Sequence, residues 1–470
     1  MRILLPTGAA TELMVKGAAA GFDADVVVTG EIASFLTPHA LRILIKKGKY
    51  DMVIISGMCT ASFDQVERES GVPVYRGPRH AADLALILPL LDTISLSRTV
   101  PADEFLAEKK AADAMRKVEQ QEQEVGADFI IRGVKIGGGS RMKVLAEIMD
   151  AHRCEGLFEV VERFFSSGAD IVDLGFGFDA TPLDVTSAFS LVADIERPLA
   201  VDSQDPLLIR AALIRADLVL SLHEKNIPLI GDEVADAGVA AVIVPGDSTL
   251  KKNIVMAKRA GITCIIADPL LQPVGSGLVA SLKNFKNIKQ PLFFGAGNVV
   301  ELLDADSIGA NVLLAGMAME VGASVIFSSE HSDKTQGSIR EMRRAVEMMV
   351  LARDRPYPKD LGIDLLVLKE KRKRREPPVE YETVITAKKM PDEIVYDPKG
   401  NFRIGIDGDQ IVAVIHGRAV RGRLWQDVLY TILSQGDVTL LDHAGYLGRE
   451  LYKAEMAIRY GRSFEQDGEF

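Results

Sequence analysis

The feature that most constrains this chain is one unit repeated along residues 128–353. Apolar runs recur as DFIIRGVKI, ADIVDLGFG, PLAVDS, ADLVLSL, AAVIVPG, ITCIIAD, PLFFGAG and ASVIFSS. A helix-patterned stretch follows each, over 141–165, 181–195, 205–215, from 224, over 248–260, 276–283, a pair across 298–320, and 337–353. Apolar runs without alternation are strands that helices cover. Eight β/α units of even spacing close more naturally than they stay open. The expected fold is therefore a TIM (β/α)8 barrel, with a doubly wound open sheet as the alternative.

The flanks differ from the repeat. Residues 1–125 hold MRILLPTG, DADVVVTG and YDMVIISG, each ending in glycine, with helical stretches such as TPHALRILIKKGK between them. This is the pattern of a small, Rossmann-like α/β domain with a parallel sheet. AEKKAADAMRKVEQQEQE, residues 107–124, reads as an exposed connecting helix. The barrel is assigned to 126–353 and a linker to 354–390. The linker carries the basic run KEKRKRR from Lys369 to Arg375, read as solvated charge. Residues 391–470 form a small α+β domain. In it, NFRIGIDG and QIVAVIHG make a hairpin turning at Asp407–Gly408, followed by helices over 425–433 and around 448–460.

Charge and cysteine content narrow the function class. The net charge of −11 argues against a nucleic-acid partner for the whole chain. Cys59, Cys154 and Cys264 lie far apart with no C-x-x-C, which argues against zinc and disulfides and fits a reducing cytoplasm. Met1 leads directly into RILLP, and no apolar stretch is long enough to span a bilayer. The expectation is a cytoplasmic protein with no membrane partner.

In such a barrel the chemistry sits at the carboxyl ends of the strands. That rule selects Asp173, Asp202, Ser221, Asp268, Asn298 and His331. Three acids facing one mouth lack the clustered His and Glu of a transition-metal site. A carboxylate only accepts hydrogen bonds, so it reads well the adjacent amino and ring N–H donors of a fused heterocycle such as a pterin. For each Asp alone, capping the next helix is the alternative. The stretch IIRGVKIGGGSRMKVLAEI places Gly137, Gly138, Gly139, Ser140 and Arg141 after the first expected strand. It is neither a P-loop nor a dinucleotide fingerprint. On its own the stretch reads as a tight strand-to-helix turn; placed at the mouth with a basic residue beside it, it is expected to be an anion site. His331, on the neighbouring last strand, would donate to a phosphate oxygen.

The barrel resembles the pterin-binding family that includes dihydropteroate synthase. GADIVDLGFGFDATPLD, RPLAVDSQDPLLIRAAL, DLVLSL, CIIADP and VIFSSEHSD carry the likeness, on successive strands. The resemblance implies Asp202 and Asp268 on the pterin edge, with Asp173, Ser221 and Asn298 beside it. It places Gly137–Arg141 and His331 toward a diphosphate, with Mg2+ assisting. No catalytic residue is assigned. The implied reaction joins 6-hydroxymethyl-7,8-dihydropterin diphosphate to an arylamine. The three-block chain looks like the archaeal type associated with tetrahydromethanopterin, for which the arylamine would be a ribofuranosyl-aminobenzene phosphate. Family members often dimerise through barrel helices, which sets a homodimer as the expectation.

There are departures. IGGGSRM replaces the family's strand-one Asn-x-Thr-x-Asp-Ser-Phe, and GAGNVVEL replaces its strand-seven Ser-Arg-Lys. Arg141 or Lys135 would have to supply the missing cations. A pterin-dependent methyltransferase, suggested by GAGN and Asn298, and a non-catalytic pterin-binding protein are the alternatives. In the C-terminal domain His443 and Glu455 are candidates for either function or structure.

Overall fold

The computed structural model describes residues 1–355, 357–359, 361–369, 382–389 and 395–468. The chain divides into two units, Met1–Glu330 with Gly337–Val379, and His331–Gln336 with Glu380–Phe470.

The first unit opens with a four-stranded parallel sheet. Its strands are β1 (Ile3–Thr7), β2 (Ala24–Val28), β3 (Met52–Ile55) and β4 (Val74–Arg76), in the order β2-β1-β3-β4. Leu4, Val53 and Ile55 pack on one face and Ile3, Leu5 and Ile54 on the other. Both faces are buried, as an all-parallel sheet requires. A 23-residue helix, Ala102–Glu124, leads to the next domain. It is less exposed than its composition suggests: Ala114 and Val118 are buried, and Ala114 joins the barrel's outer core.

The run DFIIRGVKI is not a barrel strand. Arg132 and Gly133 both have positive φ, 40° and 83°, and fold it into a hairpin of β5 (Phe129–Ile131) and β6 (Val134–Ile136). Two central residues with positive φ make the tight turn whose twist suits a hairpin. The first barrel strand is instead β7 (Lys143–Ile148), within the stretch expected to be helical. It is followed by β8 (Ile171–Gly175), β9 (Leu199–Asp202), β10 (Leu218–Leu222), β11 (Ala240–Ile243), β12 (Ile265–Ala267), β13 (Leu292–Phe294) and β14 (Ala323–Ser329). Each pairs in parallel with the next, and β14 pairs with β7 from Val325↔Lys143 to Ser329↔Glu147. The barrel is closed. Val144, Ala146, Val172 and Leu174 pack outward against the helices. Leu145, Ile171, Ala200, Leu218, Val242 and Val325 point inward. Ile131 and Ile136 of the hairpin belong to that inner cluster, so the hairpin plugs the amino end of the barrel. Arg132 Nε donates to Asp217 Oδ1 at 2.9 Å, just before β10, and pins the plug there.

In the second unit, β15 (Arg403–Asp407), β16 (Gln410–Ile415) and β17 (Arg418–Gly422) form an antiparallel sheet. The Asp407–Gly408 turn sits where the sequence places it, and β17 was not expected. Helices Trp425–Ser434 and Leu441–Tyr460 cover the sheet through Val428, Ile432, Leu447 and Leu451. Residues 370–375 of the basic run lie outside the described residues. No helix among the described residues is long and apolar enough to cross a membrane.

Candidate functional site

The alternation along each strand decides which side chains enter the barrel. Leu145 points inward, so Glu147 does too. Ile171 and Ala200 do the same for Asp173 and Asp202, and Ile266 for Asp268. All four lie at or near the carboxyl ends of their strands. Glu147 and Asp173 are register partners, and Gly175 is the partner of Asp202. A side chain at Gly175 would place its Cβ 3.4 Å from Glu147 Oε1, so the Glu147 carboxylate reaches toward Asp202.

Asp173 is fully buried, and neither carboxylate oxygen has a hydrogen-bond partner. An unmatched buried acid resists ionisation. Burial, then the charges of Asp202 and Glu147, push Asp173 well above the usual carboxylate range. Burial, then Asp202, raises Glu147 to about 7. Burial lifts Asp202 to about 6. Burial also lifts Asp268 to about 7, against the Leu270 amide that donates to its Oδ1 at 2.8 Å. Asp202 is not the cap of the following helix: Asp205 takes that role, accepting from the Leu207 amide at 2.8 Å.

Raised acids have a signed consequence for stability. A folded-state value above the unfolded one stabilises the fold at low pH, and that contribution is lost as pH rises through the folded value. For Glu147 the window runs from about 4, the unfolded value, to about 7. Glu147→Gln therefore gains stability over the wild type between about pH 5 and about pH 8. Urea midpoints at the two pH values test this, and a constant gap would refute it.

Ser221 lies in β10 beside a register shift, and its carbonyl accepts from Asn226 Nδ2 at 3.0 Å. Asn298 is exposed, in the short helix Ala296–Glu301 after β13. The glycine of GAGN has a packing reason, since a Cβ on Gly297 would lie 2.6 Å from the Phe327 ring. His331 opens the segment grouped with the second unit. In that unit His443 Nδ1 lies 3.1 Å from Asp397 Oδ2, and Glu455 accepts from the Trp425 amide at 2.8 Å.

Gly137, Gly138, Gly139, Ser140 and Arg141 do not line the mouth of the barrel. They precede β7 and so lie at the amino end of the barrel, opposite the acids. All three glycines have positive φ, which only glycine adopts at little cost. The anion they hold is the protein's own. The Gly138 amide donates to Asp128 Oδ2 at 3.1 Å, and a Cβ on Gly137 would collide with that oxygen. Arg141 is consumed by Asp170, with Nη1 to Oδ2 at 2.7 Å and Nη2 to Oδ1 at 2.5 Å. Lys135 Nζ donates to the carbonyls of Glu122, Gln123 and Val125 at the end of the long helix. These groups hold the barrel's base. Gly138→Ala, with φ of +60° and a Cβ 2.5 Å from Ala127 Cα, should cost about 2–3 kcal/mol of stability. A thermal midpoint equal to the wild type would contradict this role.

Glu147 was missed because MKVLAEIMD is rich in good helix formers. Its alternation, Leu145 then Glu147, was the available signal. Among the described residues no group of three or more His, Cys, Asp or Glu is placed to hold a metal ion.

The chain is 34% identical to the uncharacterized protein MJ0107 of Methanocaldococcus jannaschii, across 99% of this chain and 98% of that one. It belongs to the same family as that protein. Residues 396–467 match the family model described as PterinBD-DUF4346. Among solved structures the chain is similar to a dihydropteroate synthase of Xanthomonas albilineans in complex with indole-2-carboxylic acid and 6-chloroguanine, at 20% identity and a TM-score of 0.38, over 46% of this chain and 94% of that one. It is also similar to a dihydropteroate synthase of Thermus thermophilus in complex with 6HMPPP, at 20% identity and 0.37, over 44% and 92%.

Proposed function

We propose that this family member is a pterin-utilising transferase of the dihydropteroate synthase type. It would condense 6-hydroxymethyl-7,8-dihydropterin diphosphate with an arylamine, a ribofuranosyl-aminobenzene phosphate, in tetrahydromethanopterin synthesis. The observation that carries the reading is Asp173, buried at the strand ends with both oxygens unmatched beside Glu147 and Asp202. A ligand edge rich in N–H donors would satisfy these acids and lower their cost of burial. Asp202 and Asp268 would accept from the pterin amino and ring N–H groups, with Asp173 beneath them. The arylamine nitrogen forms a bond to the pterin methylene carbon, whose C–O bond to diphosphate breaks. The diphosphate leaves with the electron pair, and the amine loses a proton. The protein's share is orientation and exclusion of water.

A methyltransferase acting on a methyl-pterin is the second reading. It is favoured by one observation: the glycine–arginine segment expected to face a diphosphate lies at the other end of the barrel. Incubation with the pterin diphosphate and the phosphorylated arylamine separates the two. Release of diphosphate in step with amine consumption supports the synthase. Tight binding of methyl-pterin without release would replace it with the second reading.

A further inference from the structure

We infer that a recess at the amino end of the barrel, lined by Arg197, Arg340, Arg343 and Arg344, is an anion site for the phosphate group of a small phosphorylated molecule. The recess has a volume of about 380 Å³, and its floor is the loop Ser166–Ala169 between helix Leu157–Ser166 and β8. Four guanidinium groups line it against a single carboxylate, Glu347, in a chain whose net charge is −11.

The arginines are held rather than loose. Arg343 Nε donates to Glu347 Oε1 at 2.7 Å and its Nη1 to Asp170 Oδ1 at 3.3 Å. Its stem crosses Gly168 so closely that a Cβ there would lie 2.6 Å from Arg343 Cγ. Arg344 Nη1 donates to Glu347 Oε2 at 3.2 Å. Arg197 lies 4.0 Å over the Phe165 ring and donates through Nη2 to the Ala169 carbonyl at 2.9 Å.

These bonds leave donors over. Arg343 Nη2, Arg344 Nε and Nη2, and Arg197 Nε and Nη1 make no hydrogen bond to any described residue. Arg340, exposed one turn before Arg343 and Arg344, makes none either. Asp170 offsets little of this charge, because Arg141 already takes both of its oxygens and Arg343 only shares one of them at 3.3 Å. Like charges three and four residues apart on a helix repel. Positioned guanidinium forks with unused donors match phosphate geometry and bind it with little ordering cost. The recess opens beside the starts of β8 and β9, away from the acids, so this inference does not rest on the pterin reading.

Calorimetric titration of the full chain with pyrophosphate, inorganic phosphate and ribose 5-phosphate, at low and constant ionic strength, tests it. All three should bind, and the Arg340→Ala/Arg344→Ala variant should bind each at least tenfold more weakly. Tighter binding of ribose 5-phosphate than of free phosphate would assign the site to a phosphorylated metabolite. The reverse order would assign it to the free anion. If the double variant does not fold, Arg340→Ala alone, at an exposed position, should still weaken binding at least threefold. No heat beyond that of sodium chloride at equal ionic strength, or affinity unchanged in the arginine variants, would overturn the site.

Discussion

Asp202→Asn weakens dihydropterin binding by about 10- to 100-fold, the loss of one charge-assisted hydrogen bond at about 1.5–3 kcal/mol. The carboxylate offers acceptors only, whereas the amide turns an NH2 toward a ligand edge made of donors. Asp173→Asn adds a second, opposite effect. Removing an unmatched buried acid should raise the stability of the free protein while lowering its affinity for the pterin, the trade expected where a fold carries a functional acid at a cost. Fluorescence titration gives the affinities and urea denaturation the stabilities. Asp202→Asn binding the pterin as the wild type does would sink the assignment of the acid cluster as the pterin site.

Asp170→Ala is expected to cost about 3–5 kcal/mol of stability, the usual penalty for stranding a buried charge. Asp170 is buried at the amino end of β8 and ties together the segments around it. It accepts both terminal nitrogens of Arg141, the Val144 amide at 2.9 Å and Arg343 Nη1. Burial alone would raise its pKa, but Arg141, Arg343 and the Val144 amide outweigh it, and the carboxyl is held below its ordinary range. Alanine leaves Arg141 buried without its partner. The denaturant midpoint should fall steeply, with pterin affinity of the folded fraction unchanged. A loss below about 1 kcal/mol, within the range of an exposed pair, would show that this cluster is not a structural anchor.

The Asp202 and Asp170 variants act at opposite ends of one barrel, and local sequence pattern alone places Arg141 at the wrong end. Strands β8 to β14 were legible because each is a continuous apolar run bounded by turn residues, and because helices cover them all. Once those strands are in register, the inward direction of Asp173, Asp202 and Asp268 follows from alternation alone. The error lay in the first strand. IIRGVKI and VLAEI are both apolar runs of strand length, and only one can close the barrel. Local propensity chose the first and made the second a helix, since Leu, Ala and Glu favour helices.

Closure decided otherwise. Strand β14 needs a parallel partner, and Lys143–Ile148 supplies it, while the turn at Arg132–Gly133 sends the earlier run back on itself as a plug. That shift of one element moved the glycines from mouth to base and brought Glu147 into the acid cluster. The barrel repeat, its seven later strands and three of its four inward acids were readable from the residues alone, because burial on both faces imprints each strand locally. Which run is the first strand and which acid completes the cluster were settled by closure, because they depend on pairing between residues nearly two hundred positions apart, and the glycines follow the first strand to the base, where Asp128 is the anion they hold.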